Sequence, residues 1–314
     1  MLFRSFDLLD PAAFDVVWRR RPAYVLDHET LHPADRAFAD RECSLFRRSL
    51  FSLLAPAALW VNPVDAAARA GSKLLQHAAA AKLGLTLPRT LFTNSPREIR
   101  AFLALPGETI YKPLSPIGWK NGTSEFLPYT ALVTESSLVE DKILRQTPGI
   151  YQKLVPKAYE LRITVMGRRV FAAKVLSQQT QKGKLDWRRS YDELRFEPTD
   201  PPPVVARQCL ELLQELGLVF GCFDFVVTPA GAPVFLEVNE MGQFLFLERS
   251  SGLPLLDAFA EFLLQGRIDF DWSAAAVTVR YGDPSFEAAA TARAQEFQSS
   301  HVGTVDALVD EAAV

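Results

Sequence analysis

Hydrophobic and polar residues alternate with a period of two from Tyr159 to Ser177, where YELRITVM and RRVFAAKVLS meet at Gly167. This period is typical of β-strands, and a glycine between two such runs predicts a hairpin turn. A second hairpin is predicted in the stretch from Gly221 to Phe246, GCFDFVVTPAGAPVFLEVNEMGQFLF. Shorter apolar runs predict further strands in VVWRRRP, ALWVNP, LPRTLFT, ETIYKPL and IYQKLV.

Helices are predicted between these strands from helix-forming composition and from Gly and Pro at the ends. They cover a charged stretch from Pro33 to Leu54, a single Ala-rich helix from Asp65 to Leu83, SPREIRAFLA, and about Val204 to Leu216. FEAAATARAQEF predicts one more helix near the carboxyl terminus. Strand pairs separated by helices predict an α+β fold in two lobes.

Composition narrows the class of protein. The chain has 314 residues, 48% of them hydrophobic, a net charge of −3 and a pI near 5.9. Such a balance argues against a dedicated nucleic-acid binder, which needs a basic surface. No apolar run has the length of a membrane span and no signal peptide is evident, so we expect a cytoplasmic protein without membrane partners. The three widely spaced cysteines indicate neither disulfides nor a zinc site.

The second hairpin carries three oxygen-bearing side chains, Asp224 in its first strand and Glu237 and Asn239 in its second. Strand residues two apart share a face, so Glu237 and Asn239 point together while Val234, Leu236 and Val238 are expected to face the core. Carboxylate and amide oxygens suit Mg²⁺ held together with nucleotide phosphates. The alternative is that Asp224 caps a turn and the other two residues lie on a solvated strand.

A phosphate-binding element is predicted behind the strand ETIYKP. Lys112 ends that strand, and the following loop LSPIGWKNGT contains Gly118, Lys120 and Gly122. Loop amides and a lysine on a strand can hold phosphate oxygens. An ordinary surface loop with a solvated lysine is the alternative. The chain contains neither GxxxxGK[ST] nor a GxGxxG that opens a helix.

Charged residues on the first hairpin could complete the site. Glu160 and Arg162 lie two apart on one strand face, and Arg188 follows in KLDWRRS. Arginine offers a planar set of donors for phosphate or carboxylate, although such residues also form surface ion pairs worth little energy. With Gly167 and Arg168 as the turn, Lys174 falls on the face opposite Arg162.

HETLH, from His28 to His32, fits the zinc-protease pattern HExxH. The pattern needs both histidines on one helix face, and Pro33 pushes His32 out of the helical region. No third ligand is evident, since His77 and His301 lie in the Ala-rich helix and in the tail. A solvated loop is the interpretation we favour.

Taken in order, Lys73, IYKPL, the Gly-containing loop, YQKLVP, YELRI, DWR, FDF and EVNEMGQFLF resemble the ATP-grasp ligases. The ending EVNEMGQFLFLE, with WVNP before Lys73 and DWRR after the hairpin, is similar to the graspetide branch, the microviridin-type enzymes that crosslink ribosomal peptides. The resemblance runs from about Val17 to Leu264. It implies an ATP-grasp fold with the nucleotide held between two α+β lobes.

The resemblance implies ATP and Mg²⁺ as cofactors. Lys73 and Lys112 would contact ATP phosphates, and the loop from Ser115 to Thr123, with Gly118 and Gly122, would close over them. The adenine pocket would be lined by Gln152, Lys153 and Val155, the last two mainly through backbone groups. The transferring phosphoryl group would face Arg162 and Arg188. Two magnesium ions would be held by Asp224, Glu237 and Asn239.

The implied activity is ATP-dependent crosslinking of a ribosomally made precursor peptide, a leader plus a core rich in Thr, Asp and Glu. Asp or Glu side chains become acyl phosphates, which Thr, Ser or Lys side chains displace. Addition of a free amino acid or amine to a peptide or small acid is one alternative, and a non-catalytic nucleotide-binding module is another. The GQFLF ending favours crosslinking. A homodimer is kept as a candidate assembly.

Four segments follow from the resemblance: an N-terminal domain at 1–70, a central ATP-grasp subdomain at 71–150, a C-terminal ATP-grasp subdomain at 151–270, and a tail at 271–314. Family members usually have a strand, helix, strand unit ahead of the segment that matches VVWRRRP. About sixteen residues precede that segment here, so a shortened N-terminal domain is expected.

Overall fold

The structure, a computed structural model, describes residues 14–20, 30–115, 119–121, 124–126, 129–181, 183–188 and 193–300. Its helices are α1 (Arg36–Leu53), α2 (Val64–Ala70), α3 (Lys73–Lys82), α4 (Pro96–Leu103), α5 (Asp141–Leu144), α6 (Pro203–Leu216), α7 (Leu245–Ser251), α8 (Leu255–Gln265) and α9 (Pro284–Ser300). Its strands are β1 (Val16–Trp18), β2 (Leu59–Val61), β3 (Thr90–Thr93), β4 (Thr109–Lys112), β5 (Trp119–Asn121), β6 (Ser124–Phe126), β7 (Ala131–Val133), β8 (Gly149–Lys153), β9 (Tyr159–Met166), β10 (Arg169–Val175), β11 (Phe196–Thr199), β12 (Phe220–Val227) and β13 (Pro233–Asn239).

Two antiparallel sheets carry the predicted site. The first has the strand order β3-β8-β4-β7, and the second has the order β11-β10-β9-β12-β13. Smaller pairs join β1 to β2 in parallel and β5 to β6 in antiparallel orientation. The predicted α+β class is therefore confirmed, while the domain boundaries at residues 70, 150 and 270 stay a prediction.

Helices cover both faces of the five-stranded sheet. On one face α3 and α6 pack against alternate residues of β9 and β12, with Ile163, Leu212 and Phe223 fully buried. On the other face α7 and α8 form a second core with Met166 and Phe220. The predicted period of two in β9 is confirmed, and it leaves the polar residues Glu160, Arg162 and Thr164 together in a row on the second face. This buried polar row leads into the candidate site.

The single helix predicted from Asp65 to Leu83 is wrong, because the structure ends α2 at Ala70 and starts α3 at Lys73. Ser72 between them has extended backbone, and its hydroxyl accepts a hydrogen bond from the Leu75 amide at 3.4 Å. Serine at this position is a favoured helix N-cap because it satisfies an amide that has no partner within the helix. The break places Lys73 at the first position of α3.

The core-facing pattern predicted for β13 is wrong at two positions. A β-bulge at Leu236 shifts the register, so that Phe225 pairs with Phe235 whereas Asp224 pairs with Glu237. Phe235 therefore joins Val238 in the core shared with α3 and α6. Val234 is buried as predicted, but it pairs with Val226 on the face of Asp224, and Leu236 is only half-buried. An extra residue in one strand reverses the alternation on either side of it. Glu237 still shares a face with Asp224.

The helix predicted in FEAAATARAQEF is present as α9. The segment before it is bound to α7 and α8 by two buried carboxylates. Asp257 accepts hydrogen bonds from the Trp272 indole and the Thr278 amide, both at 2.8 Å, and Glu248 accepts from the Tyr281 amide at 2.8 Å.

Over the described residues, no helix combines the length and apolar character that crossing a bilayer requires.

The zinc-protease pattern gains no support. His28 and Glu29 lie outside the described residues, and His32 lies before α1 with its Nδ1 accepting a hydrogen bond from the Ala34 amide at 3.3 Å. Among described residues no group of three or more His, Cys, Asp or Glu side chains is arranged to hold a metal.

Candidate active site

The predicted oxygen ligands lie on one face of the five-stranded sheet. Asp224 on β12 stands directly between Arg162 on β9 and Glu237 on β13, and Asn239 follows two residues along β13, opposite Cys222. Directly opposed residues of antiparallel strands have neighbouring side chains. The sheet therefore presents an arginine, two carboxylates and an amide side by side. Their assignment as metal and phosphate ligands stays a prediction.

Both carboxylates are paired with cations. Arg162 donates to Asp224 Oδ2 at 2.6 Å and to the Gln243 carbonyl at 3.0 Å, while Lys73 forms an ion pair with Glu237. Burial acts to raise the pKa of Glu237, but Lys73, Lys112 and Arg188 outweigh it and hold that pKa well below its usual range. Glu237 is therefore ionised at neutral pH.

Asp224 and Arg162 form a buried pair, with side chains 14% and 6% exposed. Burial raises the pKa of Asp224, and Arg162 opposes this only in part because Glu237 adds a neighbouring negative charge. Burial also acts to lower the pKa of Arg162, but Asp224 outweighs it and the pKa is raised. The guanidinium Nε of Arg162 is buried without a hydrogen-bond partner among the described residues.

Lys112 brings the four-stranded sheet into the same site. Its amine donates to Gln152 Oε1 at 3.0 Å, and Gln152 Nε2 in turn donates to Thr90 Oγ1 at 2.9 Å. Burial lowers the pKa of Lys112, and the charge of Glu237 opposes that shift. The charge of Lys112 therefore interacts with that of Glu237, a candidate metal ligand, and a positive charge at this place suits phosphate oxygens.

Arg188 is held in place by Asp186, a residue that the sequence analysis did not single out. Asp186 accepts from Arg188 Nε at 2.9 Å and from Nη2 at 2.6 Å, and its own side chain is only 4% exposed. This pairing raises the pKa of Arg188, with Glu237 and Asp224 adding to the effect. The aspartate of DWR was the available signal, since a two-point contact between arginine and carboxylate fixes the orientation of the guanidinium.

Glu160 serves a different purpose from its neighbour Arg162. It is buried and accepts from Lys157 Nζ at 2.6 Å. Burial raises its pKa and Lys157 opposes that shift.

Lys174 pairs with Leu161, on the face opposite Arg162, as predicted.

The other residues that the resemblance assigns to nucleotide binding differ in their surroundings, and some lie outside the described residues. Lys153 donates from its amine to the carbonyls of Leu105 and Gly107 at 2.6 and 2.8 Å, and from its amide to the Arg89 carbonyl. Its side chain is therefore committed to the protein, and a contact with the nucleotide mainly through backbone groups stays a prediction. Val155 is half-buried just after β8, and Ser115 is exposed. Gly118, Gly122 and Thr123 lie outside the described residues.

His77 is a further residue beside the site that the sequence analysis missed. It lies one turn after Lys73 on α3 and packs edge-on against Phe92, with ring centroids 5.4 Å apart. Burial lowers its pKa, and the charges of Lys112 and Lys73 lower it further. His77 is therefore neutral at physiological pH and adds no charge to the site.

The donor set fits Mg²⁺ bound with a nucleotide. Asp224, Glu237 and Asn239 offer only oxygen ligands, and two carboxylates with an amide leave positions for phosphate oxygens and water, which is how Mg²⁺ is usually bound. Lys73, Lys112, Arg162 and Arg188 surround them with positive charge. The site combines candidate metal ligands that carry negative charge with cations suited to a polyphosphate.

Solved structures similar to this chain are found, whereas no protein-family model and no curated protein matches it. Macrocyclase MdnC of Microcystis aeruginosa MRC, bound with precursor peptide MdnA, is 31% identical, with 82% of this chain and 81% of that chain covered and a TM-score of 0.69. The RiPP-associated ATP-grasp ligase of Chryseobacterium gregarium, in complex with ADP and a leader and core peptide, is 30% identical, with 82% and 79% covered and a TM-score of 0.71.

A third structure is ATP-grasp ligase PsnB, complexed with minimal precursor, Mg and ADP. It is 25% identical, with 79% of this chain and 78% of that chain covered, at a TM-score of 0.60. These matches confirm the ATP-grasp fold and the identification as an ATP-dependent ligase. With sequence identity of 31% over four-fifths of each chain, this chain belongs to the graspetide family of ATP-grasp ligases, the microviridin-type maturases of ribosomal peptides.

Proposed function

We propose that this enzyme activates Asp or Glu side chains of a ribosomally made precursor peptide as acyl phosphates and crosslinks them to Thr, Ser or Lys side chains. The observation that carries the proposal is the alignment of Arg162, Asp224 and Glu237 on three adjacent strands, with Lys73 and Lys112 at its edge. The similarity to a macrocyclase bound with its precursor peptide favours a peptide substrate.

The reaction has two steps. A peptide carboxylate attacks the γ-phosphorus of ATP, the bond to the β-γ bridging oxygen breaks, and ADP leaves with the electron pair. The hydroxyl or amine then attacks the acyl carbon and inorganic phosphate leaves, while the nucleophile loses a proton. The peptide loses the atoms of one water per crosslink, and ATP becomes ADP and phosphate. Positioning and charge neutralisation carry such phosphoryl transfer.

Each group of residues has a distinct role in this proposal. Lys73 and Lys112 bind the phosphates of ATP, and Arg162 and Arg188 face the transferring phosphoryl group, where their planar donors match its oxygens. When bound by Asp224, Glu237 and Asn239, Mg²⁺ supplies charge that neutralises the phosphate oxygens.

The nucleotide and the loop over it complete the proposed site. We assign the adenine pocket to the side chain of Gln152 and to backbone groups near Lys153 and Val155. The loop from Ser115 to Thr123, with Gly118 and Gly122, is assigned to the phosphates. Gln152 is 3% exposed and already bonded to Lys112, so nucleotide binding at either residue would affect the other.

The proposal extends to the partners of the enzyme. The substrate is a precursor with a leader and a core rich in Thr, Asp and Glu, and the enzyme acts in the cytoplasm, where ATP and nascent peptides are available. We propose a homodimer as its assembly. The surface assigned to the dimer is the apolar side of α1, where Phe38, Leu45 and Leu53 are 59%, 61% and 74% exposed.

Intact mass spectrometry tests the proposed reaction. The enzyme is incubated with ATP, Mg²⁺ and a candidate precursor, a short peptide rich in Thr and in Asp or Glu that is sought among the reading frames beside its gene. We expect the peptide to lose one water mass per crosslink, with equimolar ADP formed, and fragmentation to locate each ring. A peptide that gains the mass of an amino acid would instead indicate addition of a free amine, and a peptide unchanged while ATP is bound would contradict the ligase reaction.

A further inference from the structure

Two buried side-chain amides hold the backbone of β13 where its candidate ligands project. β13 is an edge strand, paired with β12 on one side. On its other side lies Gln76 of α3, which is 2% exposed. Gln76 Oε1 accepts from the Val238 amide at 3.0 Å, and Nε2 donates to the Val238 carbonyl at 2.8 Å and to the Ala70 carbonyl at 2.6 Å. The side chain thus takes the place of a neighbouring strand at Val238.

Asn62 makes the corresponding contact two residues further on. Its Nδ2 donates to the Glu240 carbonyl at 2.7 Å and to the Phe220 carbonyl at 2.9 Å. Its Oδ1 accepts from the amides of Val219 and Phe220 at 2.8 and 2.9 Å. Asn62 is 3% exposed. One side chain therefore joins the start of β12 to the residue that follows β13.

The two amides hold the backbone at the residues that alternate with the candidate ligands. Glu237 and Asn239 project towards the site, while the backbone at the intervening Val238 is held by Gln76 and the backbone at Glu240 by Asn62. Successive strand residues alternate faces, so small changes in twist at an unsupported edge would move both ligands. Gln76 also lies one helical turn after Lys73, the ion-pair partner of Glu237.

We propose that Gln76 and Asn62 are positioning residues, which set the spacing of Glu237 and Asn239 for magnesium by fixing the backbone of the edge strand. This inference rests on the proposed function of the site as a Mg²⁺ and nucleotide site. Partners that orient metal ligands from behind contribute to metal affinity although they do not touch the ion. Neither residue is expected to contact the nucleotide.

Calorimetry of ADP binding over a range of Mg²⁺ concentrations tests the inference without any need for turnover. Gln76→Met keeps the length of the side chain and removes all three hydrogen bonds, and Gln76→Glu keeps the acceptor for the Val238 amide. Asn62→Asp keeps the acceptor for the amides of Val219 and Phe220 and removes the donor to the carbonyls of Phe220 and Glu240. We expect each variant to need roughly tenfold to a hundredfold more Mg²⁺ for half-maximal binding, with ADP affinity in EDTA unchanged.

Leu212→Ala is the matched control, because Leu212 is fully buried in the core between the sheet and α6 and its loss destabilises the fold without touching the amide contacts. We expect it to lower the melting temperature and leave the Mg²⁺ requirement unchanged. An unchanged Mg²⁺ requirement in the Gln76 variants, or an equal shift in Leu212→Ala, would overturn the inference. If Mg²⁺ does not change the ADP affinity of the parent protein, the metal assignment is wrong, and the inference that rests on it is wrong as well.

Discussion

Removing the guanidinium of Arg162 should destabilise the protein through the charge left behind on Asp224. The two side chains are 6% and 14% exposed, and their ion pair is 2.6 Å long. Arg162→Met keeps an unbranched apolar side chain in the same space while taking away both hydrogen bonds. The carboxylate of Asp224 then remains buried beside Glu237 without its counter-ion.

The size of the effect can be worked out from this geometry. Breaking a buried pair by removing one partner costs about 3 to 5 kcal/mol, because the remaining charge is desolvated and unpaired. An unfolding entropy near 2.1 cal/mol/K per residue gives roughly 0.66 kcal/mol/K for 314 residues. If the chain unfolds as one unit, the melting temperature should fall by about 5 to 8 °C.

The pH dependence distinguishes a charge effect from lost packing. Burial has already raised the pKa of Asp224, and removal of Arg162 raises it further. An acid whose folded-state pKa exceeds its unfolded value binds more protons when folded, so stability falls as pH rises through the interval between the two values. The deficit of the variant should therefore be larger in an assay at about pH 8 than in one at about pH 5.

Differential scanning calorimetry of the parent, Arg162→Met, Asp224→Asn and the double variant measures this directly. We expect the double variant to be more stable than Arg162→Met at pH 8, because the unpaired charge is gone. A stability deficit of equal size at both pH values, or a double variant with the two single losses simply added, would refute the reasoning.

Three further predictions concern the site. Glu237→Gln removes a proposed ligand and the partner of Lys73, so Mg²⁺-dependent ADP binding measured by calorimetry should weaken about tenfold or more and product should disappear; full turnover would contradict the metal assignment. Asp186→Asn frees Arg188 and should lower the rate of crosslinking by up to about a hundredfold, with ADP affinity retained; an unchanged rate would exclude the positioning role. Because burial lowers the pKa of Lys112, ADP affinity should decline at a lower pH than an ordinary lysine would dictate, and Lys112→Arg should move that decline to higher pH; identical profiles would show that the amine does not bind phosphate.

Much of the fold could be predicted from short-range pattern. The hairpin turn at Gly167 and the opposite faces of Arg162 and Lys174 followed from a period of two, and the structure has the same register. The same rule failed in β13, where the bulge at Leu236 is a tertiary adjustment that the alternation of residue types does not reveal. The helix break before Lys73 had a signal in Gly71 and Ser72, but the Ala-rich composition on either side outweighed it.

The candidate site was predictable in its residue types and less so in its pairings. The three candidate metal ligands, Asp224, Glu237 and Asn239, and Arg188 stand in a recognisable order along the chain. Asp186 was not singled out, because a single aspartate two residues before an arginine is common in solvated loops. The role of Asp186 depends on its burial, since its side chain is only 4% exposed, and that burial arises only once the segment around it is folded.

By itself, the sequence determined the order of helices and strands, the oxygen and cation chemistry of the site, and the family through the order of its motifs. Only the tertiary structure decided which cation neutralises which carboxylate and which side chains hold the edge strand. Lys73 and Glu237 are 164 residues apart, and Gln76 and Val238 are 162 apart. A residue pattern reports the local backbone conformation, whereas such contacts depend on how α3 packs along β13, and that packing is settled by the whole core.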